Sequence, residues 1–587
     1  MKATDYLAKF LLANDVDRVF GLQGGAVVHL FDSIECLDGM NVTYCHHEQA
    51  ASLAAVAYSK RRGGLGCAIV TTGPACTNAL TGLLAAWQDS TPVIFISGQT
   101  RIEHTSYGKR VRQVGSQEFA ILDVVKPITK YAQLIESPQK LPEILKEAAT
   151  AALSGRQGPV WIDFPVNLQW ADIYGSSEIP KVQAGTDFLG QLGAEHIDAL
   201  SREFTLAKRP LLVAGNGIRS ARCTEAFISV VEQHKLPFVT SWTASDILPT
   251  DHPLNAGIIG VAGHRGANKA AFSADLLVCL GCHLGLTQTS TLTDTYAPNA
   301  RKVIIDVDSD QLNNLTVQFD LSINANLLDF FSQSLNISFN IRSKTWLNSI
   351  STFKRMNSVE STLTDSLSLG DSETVNSNLF NFELTRRIPS SADIVVDGGG
   401  TALYTGFQSS FIKVGQRIIC SSSISAMGTG LPEAVGVSQA KGSGEVYCII
   451  GDGSLMLNLQ ELQTIRHHSL PIKIIVYNNN GYLAIKHTQE SFLEKRYFGT
   501  DINNGLSFPD IEKIAICFGI SYIKSVGIQM ISEIIDKVIT YKGPMLVEII
   551  TPEMQTMLFQ QGYHKNIDGT FSPANLSEMK PYISISN

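Results

Sequence analysis

The sequence feature that most constrains the fold is a pair of apolar segments that each end at a short polar turn. Residues 445–450 lead into Gly451-Asp452-Gly453-Ser454, and residues 471–477 lead into Asn478-Asn479-Asn480-Gly481. Between them, over residues 457–468, apolar side chains recur at helical spacing. This order predicts two neighbouring buried parallel strands joined by a helix. Both polar turns then lie at the edge of the sheet where open α/β sheets bind ligands.

Oxygen ligands stand at both predicted strand ends. The Asp452 carboxylate and the Asn479 amide oxygen are hard ligands, and the glycines beside them expose the backbone. Such a set suits Mg²⁺ that bridges a diphosphate, because Mg²⁺ prefers oxygen and usually keeps phosphate in its shell. From the residues alone, the alternative is a glycine turn with a capping aspartate, followed by an asparagine-rich hairpin turn.

The pattern resembles the GDG…NN signature of thiamine-diphosphate enzymes, and the spacing from Asp452 to Asn479 fits it. The resemblance implies that Asp452, Asn479 and the Gly481 carbonyl hold the metal. The other cofactor-binding residues that it implies in this region are Gly451, Gly453, Ser454, Gly481 and Tyr482.

Met427 lies in a segment, Ser425-Ala426-Met427-Gly428-Thr429-Gly430-Leu431-Pro432, that is similar to the family's G-x-MG-x-GLP segment. Taken alone, this methionine is typical of a core position. The resemblance implies instead that Met427 is the apolar prop between the two rings of the bent cofactor.

Length and composition limit the class of protein. At 587 residues the chain is too long for one core, and its 44% hydrophobic and 17% charged residues are typical of globular domains. The formal net charge of −8 argues against a nucleic-acid partner. No uninterrupted apolar stretch approaches the ~20 residues that span a bilayer, and the N-terminus lacks a signal-peptide core. We therefore expect a cytoplasmic protein with no nucleic-acid or membrane partner.

Apolar segments that are typical of strands alternate with helical patterns along most of the chain, which predicts parallel sheets. Two polar stretches, 173–190 and 343–380, are predicted to be linkers. The predicted fold is therefore α/β, with three doubly wound parallel-sheet domains. By the resemblance, these are a pyrimidine-binding domain (1–172), a central domain (190–345) and a diphosphate- and Mg²⁺-binding domain (380–560), followed by a C-terminal tail (561–587).

The motif His46-His47-Glu48-Gln49-Ala50 lies where a predicted strand meets an alanine-rich helix. By itself, Glu48 could be an acid in a first helical turn, where the helix dipole favours negative charge. The motif is similar, however, to the HEQ-A motif of the acetohydroxyacid synthase branch of thiamine enzymes, whose glutamate shares its proton with N1′ of the aminopyrimidine. The resemblance implies that Glu48 is catalytic. The other cofactor-binding residues that it implies in this domain are Gly24, Gly25, Thr72 and Asn78.

The resemblance implies a carboligase that decarboxylates a 2-oxo acid, pyruvate in the first instance, and transfers the two-carbon unit to an acceptor carbonyl, as acetolactate synthases do. Relatives hold the cofactor between the first domain of one subunit and the third domain of another, so we expect a homodimer or a homotetramer. A non-catalytic regulatory homologue is the alternative of another class. The joint presence of Glu48, Asp452 and Asn479 disfavours it.

The predicted substrate pocket contains Ser116, Gln117 and Thr488. Ser116 stands where acetohydroxyacid synthases have a phenylalanine, and Thr488 stands where synthases specific for 2-oxobutyrate have the tryptophan of a QWQ segment. Two bulky walls are thus replaced, which predicts a wider pocket. Residues 479–489 also look like the synthase-like enzymes of branched-sugar pathways. Acyl transfer from pyruvate to a nucleotide-linked ketosugar is therefore the alternative reaction.

The central domain corresponds to the one that holds FAD in acetohydroxyacid synthases, although in many thiamine enzymes it is only structural. Arg156 matches a flavin-contacting arginine of that family, and residues 257–268 keep its glycine spacing. Against FAD, His283 and Thr287 replace both arginines of the family's GxRFDDRxTG segment. The candidate FAD residues are Arg156, Gly215, Gly217, Asn268, Gly281 and Asp306.

Overall fold

The computed structural model describes residues 1–174, 178–182, 190–339, 343–366 and 370–581. Parts of both predicted linkers, the end of the predicted tail and residues 340–342 of the predicted central domain lie outside the described residues. Within these ranges the chain forms three six-stranded parallel sheets and one two-stranded antiparallel hairpin. The predicted α/β class with three parallel sheets is confirmed. None of the described helices is long and apolar enough to cross a membrane.

The first unit is a parallel sheet with helices on both faces. Its strands are β1 (Arg18–Gly21), β2 (Asn41–Tyr44), β3 (Gly66–Val70), β4 (Val93–Gln99), β5 (Tyr131–Leu134) and β6 (Val160–Pro165). Its helices are α1 (Ala3–Ala13), α2 (Val28–Glu35), α3 (Glu48–Arg62), α4 (Pro74–Asn78), α5 (Leu80–Gln88), α6 (Ile121–Val125), α7 (Leu141–Leu153) and α8 (Val166–Gln169). The strand order is β2-β1-β3-β4-β6-β5. Successive side chains of β3 enter different cores, Cys67 and Ile69 on one face and Ala68 and Val70 on the other, because side chains alternate along a strand.

The central unit contains strands β7 (Pro210–Ala214), β8 (Phe238–Thr240), β9 (Asn255–Ile258), β10 (Leu276–Leu280), β11 (Arg301–Asp306) and β12 (Leu321–Asn324). Its helices are α9 (Ala194–Leu206), α10 (Gly217–Ser220), α11 (Thr224–His234), α12 (Arg265–Ser273), α13 (Leu286–Thr289), α14 (Ser309–Asn313) and α15 (Leu327–Ser332). The strand order is β12-β11-β10-β7-β8-β9. Counted from the first strand of the unit, this is the order of dinucleotide-binding sheets.

The stretch that we predicted to be the second linker contains two helices, α16 (Lys344–Arg355) and α17 (Val359–Ser366). Its serines, threonines and asparagines favour a loop when the sequence is considered alone. Helix α16 is nevertheless held against the central unit, because Trp346 and Ile350 are buried there and the Trp346 indole N–H donates to the Pro210 carbonyl at 2.9 Å.

The third unit contains strands β13 (Asp393–Val396), β14 (Ile418–Ile419), β15 (Val446–Gly451), β16 (Ile472–Asn478), β17 (Ser521–Ser525) and β18 (Met545–Ile550). Its helices are α18 (Ser377–Arg387), α19 (Gly400–Ser409), α20 (Gly430–Ala440), α21 (Asp452–Leu455), α22 (Glu461–His467), α23 (Leu483–Phe492), α24 (Ile511–Phe518) and α25 (Ile531–Thr540). The order β14-β13-β15-β16-β18-β17 repeats the order of the first sheet. The hairpin of β19 (Tyr563–Lys565) and β20 (Phe571–Pro573) follows.

Helices α3 and α20 pack against each other and join the first and third sheets in a single hydrophobic core. Each of the two helices follows the second strand of its unit. They approach closely because α20 has a glycine at the contact: a Cβ on Gly436 would lie 2.1 Å from the Ala54 carbonyl oxygen. At the end of α3, the Lys60 ammonium pairs with Asp89 at 2.7 Å and donates to the Cys420 carbonyl at 3.0 Å. The first and third units therefore form one packed body.

Candidate functional site

Three polar loops lie side by side at one edge of the third sheet. They follow β13, β15 and β16, which are neighbours in the sheet and run in parallel, so their carboxyl ends meet. The chain leaves β13 toward β14 on one side, while β15 lies on the other. Such a reversal of strand order is where open α/β sheets leave a crevice for ligands.

Asp452 is the first residue of α21 and is buried in this crevice. Its carboxylate accepts from the backbone N–H of Gly453 at 2.7 Å and from that of Gly481 at 3.1 Å. Burial raises the pKa of Asp452 to about 6, although the backbone N–H groups favour the charged form. A divalent cation at this carboxylate would stabilise the charged form further, because opposite charge at close range lowers the pKa of an acid.

Asn479 supplies the second oxygen. Its side chain is 2% exposed, and its amide N–H donates to the Thr401 hydroxyl at 3.2 Å. Its amide oxygen has no hydrogen-bond partner among the described residues. A buried oxygen without a protein partner is free to bind an ion or a water molecule. Because an amide oxygen and a carboxylate are ligands that Mg²⁺ prefers, these residues fit the predicted metal.

Two glycines of the predicted signature are required by close approaches within the protein. A Cβ on Gly453 would lie 2.2 Å from the Tyr482 ring, and a Cβ on Gly481 would lie 2.6 Å from the Thr500 carbonyl oxygen. Gly451 differs, since a Cβ there would meet no described atom within 4 Å. The loop after β15 is thus open to a ligand at Gly451, whereas at Gly453 it packs against Tyr482 of the loop after β16.

A small cavity adjoins the Asn479–Thr401 contact. Its lining includes Gly400 and Thr401 at the start of α19 and Leu483 and Ala484 at the start of α23. Helix N-termini present free N–H groups and favour anions. The N-termini of α19 and α23 are therefore suited to anionic groups such as phosphates.

Met427 lies in the loop that leads into α20 and is half-buried. A Cβ on Gly399 would lie 3.3 Å from Met427 Cγ, so this side chain stands beside the loop that follows β13. Gly428, with φ +81°, turns the chain from Met427 into the helix. This places an apolar side chain next to the predicted diphosphate loops, as expected for the prop.

Asp397 joins the loop after β13 to the start of α20, and it was not predicted as a site residue. It is fully buried and accepts from the N–H groups of Gly399 at 2.7 Å and Gly430 at 2.9 Å. Burial raises its pKa. The sequence pattern that could have identified Asp397 is the apolar strand followed by Asp397-Gly398-Gly399-Gly400. Thr401, also missed, gave no signal, because a threonine in a helical first turn is common.

Glu48 is the first residue of α3 and is 8% exposed. Its carboxylate accepts from the Asn78 amide N–H at 3.0 Å, so the structure brings together two residues that the sequence predicted separately. The adjacent Gln49 accepts from Asn458 at 3.1 Å. No hydrogen bond of the described chain joins Glu48 to Asp452 or Asn479.

The remaining predicted residues of the first unit lie around Thr72. Its hydroxyl donates to Gln99 Oε1 at 3.0 Å. A Cβ on Gly24 would lie 2.5 Å from the Thr71 side chain, whereas one on Gly25 would meet no described atom within 4 Å. Gly25 thus leaves room for a ligand, and Gly24 allows two loops to meet.

The predicted substrate residues are exposed and lie on two different units. Ser116 and Gln117 belong to the segment between β4 and α6, and Thr488 belongs to α23. The Thr488 hydroxyl donates to the Ala484 carbonyl of its own helix at 3.0 Å. Within one described chain, no hydrogen bond joins Thr488 to Ser116 or Gln117.

The candidate FAD residues make their contacts inside the chain. Arg156 pairs with Asp308 at 3.0 Å, and Asn268 accepts from the Gly260 N–H at 2.9 Å and donates back to its carbonyl. Asp306 accepts from the backbone N–H of Asp308 at 3.0 Å. Gly215, Gly217 and Gly281 are packed against one another: a Cβ on Gly215 would lie 1.9 Å from the Gly281 carbonyl oxygen, and one on Gly217 would lie 2.6 Å from Gly281 Cα. These residues fit FAD poorly, since no buried side-chain atom among them lacks a partner in the described chain.

Three family models match the chain in succession. They are the N-terminal TPP binding domain of thiamine pyrophosphate enzymes over residues 1–124, the central domain over 197–333 and the C-terminal TPP binding domain over 399–549. The matches follow the three sheets in order.

Curated relatives match along most of the chain. The acetolactate synthase large subunit of Haemophilus influenzae is 30% identical over 88% of this chain and 89% of its own length. The acetolactate synthase isozyme 2 large subunit of Escherichia coli is 28% identical over 95% of this chain and 97% of its own length. The acetolactate synthase large subunit of Lactococcus lactis is 28% identical over 92% and 91%. The similarity thus spans all three units.

Proposed function

Since this chain belongs to the thiamine pyrophosphate enzymes, in their acetolactate synthase-like branch, it is a thiamine-diphosphate-dependent carboligase, and we propose that its donor is pyruvate. In the simplest reaction a second pyruvate is the acceptor and acetolactate is the product. The proposal rests on the buried Asp452 carboxylate and on the buried Asn479 amide oxygen without a described partner, which follow neighbouring strands at the edge where a cofactor would bind.

The metal in this proposal is Mg²⁺. Asp452 and Asn479 supply two oxygens, and the Gly481 carbonyl is the third protein ligand that we propose. The remaining ligands are phosphate oxygens and water, because Mg²⁺ usually keeps both in its shell. Gly400, Thr401 and the N-terminus of α23 line the cavity that would hold the phosphates.

Glu48 is the proposed catalytic acid. Bound thiamine diphosphate supplies the nucleophilic carbon that adds to the 2-oxo acid and the electron sink for the loss of CO₂. Glu48 holds a proton at the aminopyrimidine nitrogen N1′, and the Asn78 amide fixes the carboxyl by donating to it at 3.0 Å. Met427 would provide an apolar contact for the bound cofactor.

Small side chains at Ser116 and Thr488 support a larger acceptor as the second candidate. Both residues are exposed, and the Thr488 hydroxyl turns back to its own helix rather than toward a substrate. A nucleotide-linked ketosugar is the acceptor that we propose in this case. The reaction at the donor is unchanged, so the two candidates differ only in what receives the two-carbon unit.

The first experiment is product analysis with purified protein, thiamine diphosphate, Mg²⁺ and pyruvate, with and without a nucleotide-linked ketosugar. Mass spectrometry of acetolactate together with CO₂ release supports the synthase. A sugar product formed at the expense of acetolactate supports the second candidate. If the protein binds the cofactor, as calorimetry would show, but forms neither product, pyruvate is not the donor.

FAD is tested in the same preparation. The proposed reaction uses no step that depends on flavin, and the candidate residues are engaged within the chain. An absorbance spectrum recorded before the assay shows whether flavin copurifies. A stoichiometric flavin band would mean that Arg156 and Asn268 exchange their internal partners for the cofactor.

A further inference from the structure

A chain of buried hydrogen bonds crosses the carboxyl ends of three neighbouring strands of the first sheet, β3, β4 and β6. Asp163 of β6 is fully buried and accepts from the side-chain N–H of Gln99, on β4, at 3.0 Å. Gln99 Oε1 accepts in turn from the hydroxyl of Thr72, which follows β3, at 3.0 Å. A buried carboxylate is thus connected through one amide to a residue that we assign to the cofactor site.

The same amide supports the segment that carries Gln117. The Gln99 side-chain N–H also donates to the Phe119 carbonyl at 3.0 Å, and the Thr72 hydroxyl lies 3.4 Å from the Gln117 carbonyl. Gln117 has φ 56°, which is strained for a residue with a side chain. A Cβ on Gly73 would lie 2.2 Å from the Gln117 carbonyl oxygen. The segment is therefore held in an unfavourable conformation by Thr72, Gly73 and Gln99.

Asp163 is one of three groups that fix which way the Gln99 amide points: the Thr100 N–H donates to Gln99 Oε1 at 2.9 Å, and the Phe119 carbonyl and Asp163 accept from the amide nitrogen. The Asp163 carboxylate also accepts from Ser97 at 2.6 Å and Tyr107 at 2.8 Å. An ionised carboxylate can only accept, so the Gln99 nitrogen must face it and the Gln99 oxygen must face Thr72. Burial raises the pKa of Asp163 to about 6, against the effect of its three donors. Among the described residues, Asp163 makes no direct hydrogen bond to Thr72 or Gln117; its connection to Thr72 runs through Gln99.

We propose that Asp163 is a positioning residue for the substrate pocket, which acts through the Gln99 amide on Thr72 and on the segment that carries Gln117. The inference rests on the proposed function, in which Gln117 lines the pocket for the 2-oxo acid. Asp163 itself touches neither substrate nor cofactor. The expected effect is on the use of pyruvate, since a misplaced pocket lowers the rate far more than a distant change in packing does.

Two single variants and their combination test the connection. Asp163→Asn replaces one acceptor oxygen with an amide donor beside the Gln99 amide nitrogen, and Gln99→Met keeps the approximate volume but removes the amide. Each is expected to lower kcat/KM for pyruvate by about tenfold or more while the cofactor dissociation constant changes by less than about threefold. The double variant is expected to be little worse than either single variant, because both remove the same connection.

Tyr107→Phe is the matched control. It removes a different hydrogen bond from the same carboxylate and leaves the bond between Gln99 and Asp163 in place. We expect kcat/KM within about twofold of the unmodified protein. A reduction equal to that of Asp163→Asn would mean that the carboxylate only stabilises the fold, and would overturn the proposal.

Hydrogen exchange of the backbone around Gln117 provides a readout that needs no substrate. Exchange there is expected to be faster in Asp163→Asn and Gln99→Met and unchanged in Tyr107→Phe. The inference would also be refuted if Asp163→Asn folds and has the same hydrogen exchange near Gln117 and the same kcat/KM as the unmodified protein. If Asp163→Asn does not fold, Asp163→Ser takes its place, because it removes the carboxylate that accepts from Gln99 without adding an amide donor. Failure of the proposed function appears separately, as unmodified protein that makes no product from pyruvate.

Discussion

The Asn479 amide oxygen is a buried acceptor for which the described chain supplies no donor. Leaving such an atom without a partner costs about 1–3 kcal/mol, so this residue destabilises the protein until a ligand binds. Asp452 adds to that cost, because a carboxylate is being buried and its pKa rises to about 6. At the residue scale, the site is thus formed at the expense of stability, as is common for groups that bind metals and cofactors.

We predict that Asn479→Leu raises the Mg²⁺ concentration needed for half-maximal cofactor binding by about tenfold or more. Leucine keeps the approximate volume and removes the oxygen ligand. The same variant should change the free energy of unfolding without Mg²⁺ by less than about 1 kcal/mol, because removal of the unpaired oxygen offsets loss of the hydrogen bond to Thr401. Calorimetric titration and thermal unfolding measure the two effects. Asn503→Leu, at an exposed asparagine of the same unit, is the control, and an equal change in both variants would argue against a metal ligand.

For the acid, we predict that Glu48→Gln lowers kcat by about 10²–10⁴, since glutamine cannot hold a transferable proton at N1′. The affinity for thiamine diphosphate should change little, because the metal ligands are untouched. Glu225→Gln is a matched control: Glu225 is also an acid in the first turn of a helix, but it is exposed. Undiminished turnover in Glu48→Gln would exclude Glu48 as the catalytic acid.

At the scale of secondary-structure elements, helices α3 and α20 set the positions of Glu48 and of the loop that carries Met427. Glu48 begins α3, and Met427 lies three residues before α20 begins. The two helices approach closely at Gly436, where an added Cβ would lie 2.1 Å from the Ala54 carbonyl oxygen. A methyl group at this position would therefore displace one of the helices. The distance between the acid and the prop within one chain is therefore determined by this contact.

We predict that Gly436→Ala destabilises the protein by about 1–3 kcal/mol. In an ordinary helix the same substitution stabilises, because alanine has the higher helix propensity. The sign reverses here because the new methyl group meets the Ala54 carbonyl. Gly64→Ala is the control, since a Cβ there meets no described atom within 4 Å. Denaturant unfolding measures the difference, and a Gly436→Ala protein at least as stable as the control variant would show that the helices separate freely.

Elements built from local pattern were predictable from the sequence, and elements held by distant partners were not. The strands that end at Gly451 and Asn478 form where apolar runs stop, so their order and their polar ends could be inferred. Helix α16 could not, because its polar composition favours a loop and it is held by the distant carbonyl of Pro210. Thr401 was missed for the same reason. Its role depends on Asn479, which lies far along the chain and across the crevice.

At the scale of the whole molecule, the central unit is tied to the third by buried polar contacts. Asp246 is fully buried and pairs with Arg219 of its own unit and with Arg417 of the third unit, each at 2.7 Å. His264 is half-buried. One ring nitrogen accepts from the Ile258 N–H at 3.1 Å, and the other lies 3.2 Å from the Gln408 carbonyl of the third unit. Neutral histidine satisfies both contacts with one proton.

This contact predicts a loss of stability in mild acid. Burial lowers the pKa of His264 from 6.5 to about 4. Between these values the unfolded chain binds a proton that the folded chain does not, so the free energy of unfolding falls as pH decreases, by at most about 1.4 kcal/mol per pH unit. His264→Gln should reduce this dependence, and thermal unfolding at about pH 7 and about pH 5 tests it. His104→Gln, at an exposed histidine, is the control. An identical pH dependence in all three proteins would contradict the assignment.

The proposed subunit arrangement predicts that two inactive variants can restore activity when they are combined in one dimer. If each cofactor contacts Glu48 of one subunit and Asp452 of another, mixing inactive Glu48→Gln and Asp452→Asn proteins creates mixed dimers with one intact site. Statistical mixing should then restore about a quarter of the unmodified activity. Assays after unfolding and refolding the two proteins together measure this. Refolding each variant alone is the control, and no recovery in the mixture would mean that both groups act within the same chain.

The repeated strand order of the first and third sheets has a consequence for how such a chain could arise. Helices α3 and α20 follow equivalent strands, so each unit contributes the corresponding helix to their contact. One polypeptide thus contains the same strand order twice, as duplication of a single unit would produce. After such a duplication, mutation of one copy no longer changes the other. One half could then specialise in the acid, Glu48, and the other in the metal ligands, Asp452 and Asn479, a division of labour that an assembly of identical single units cannot achieve.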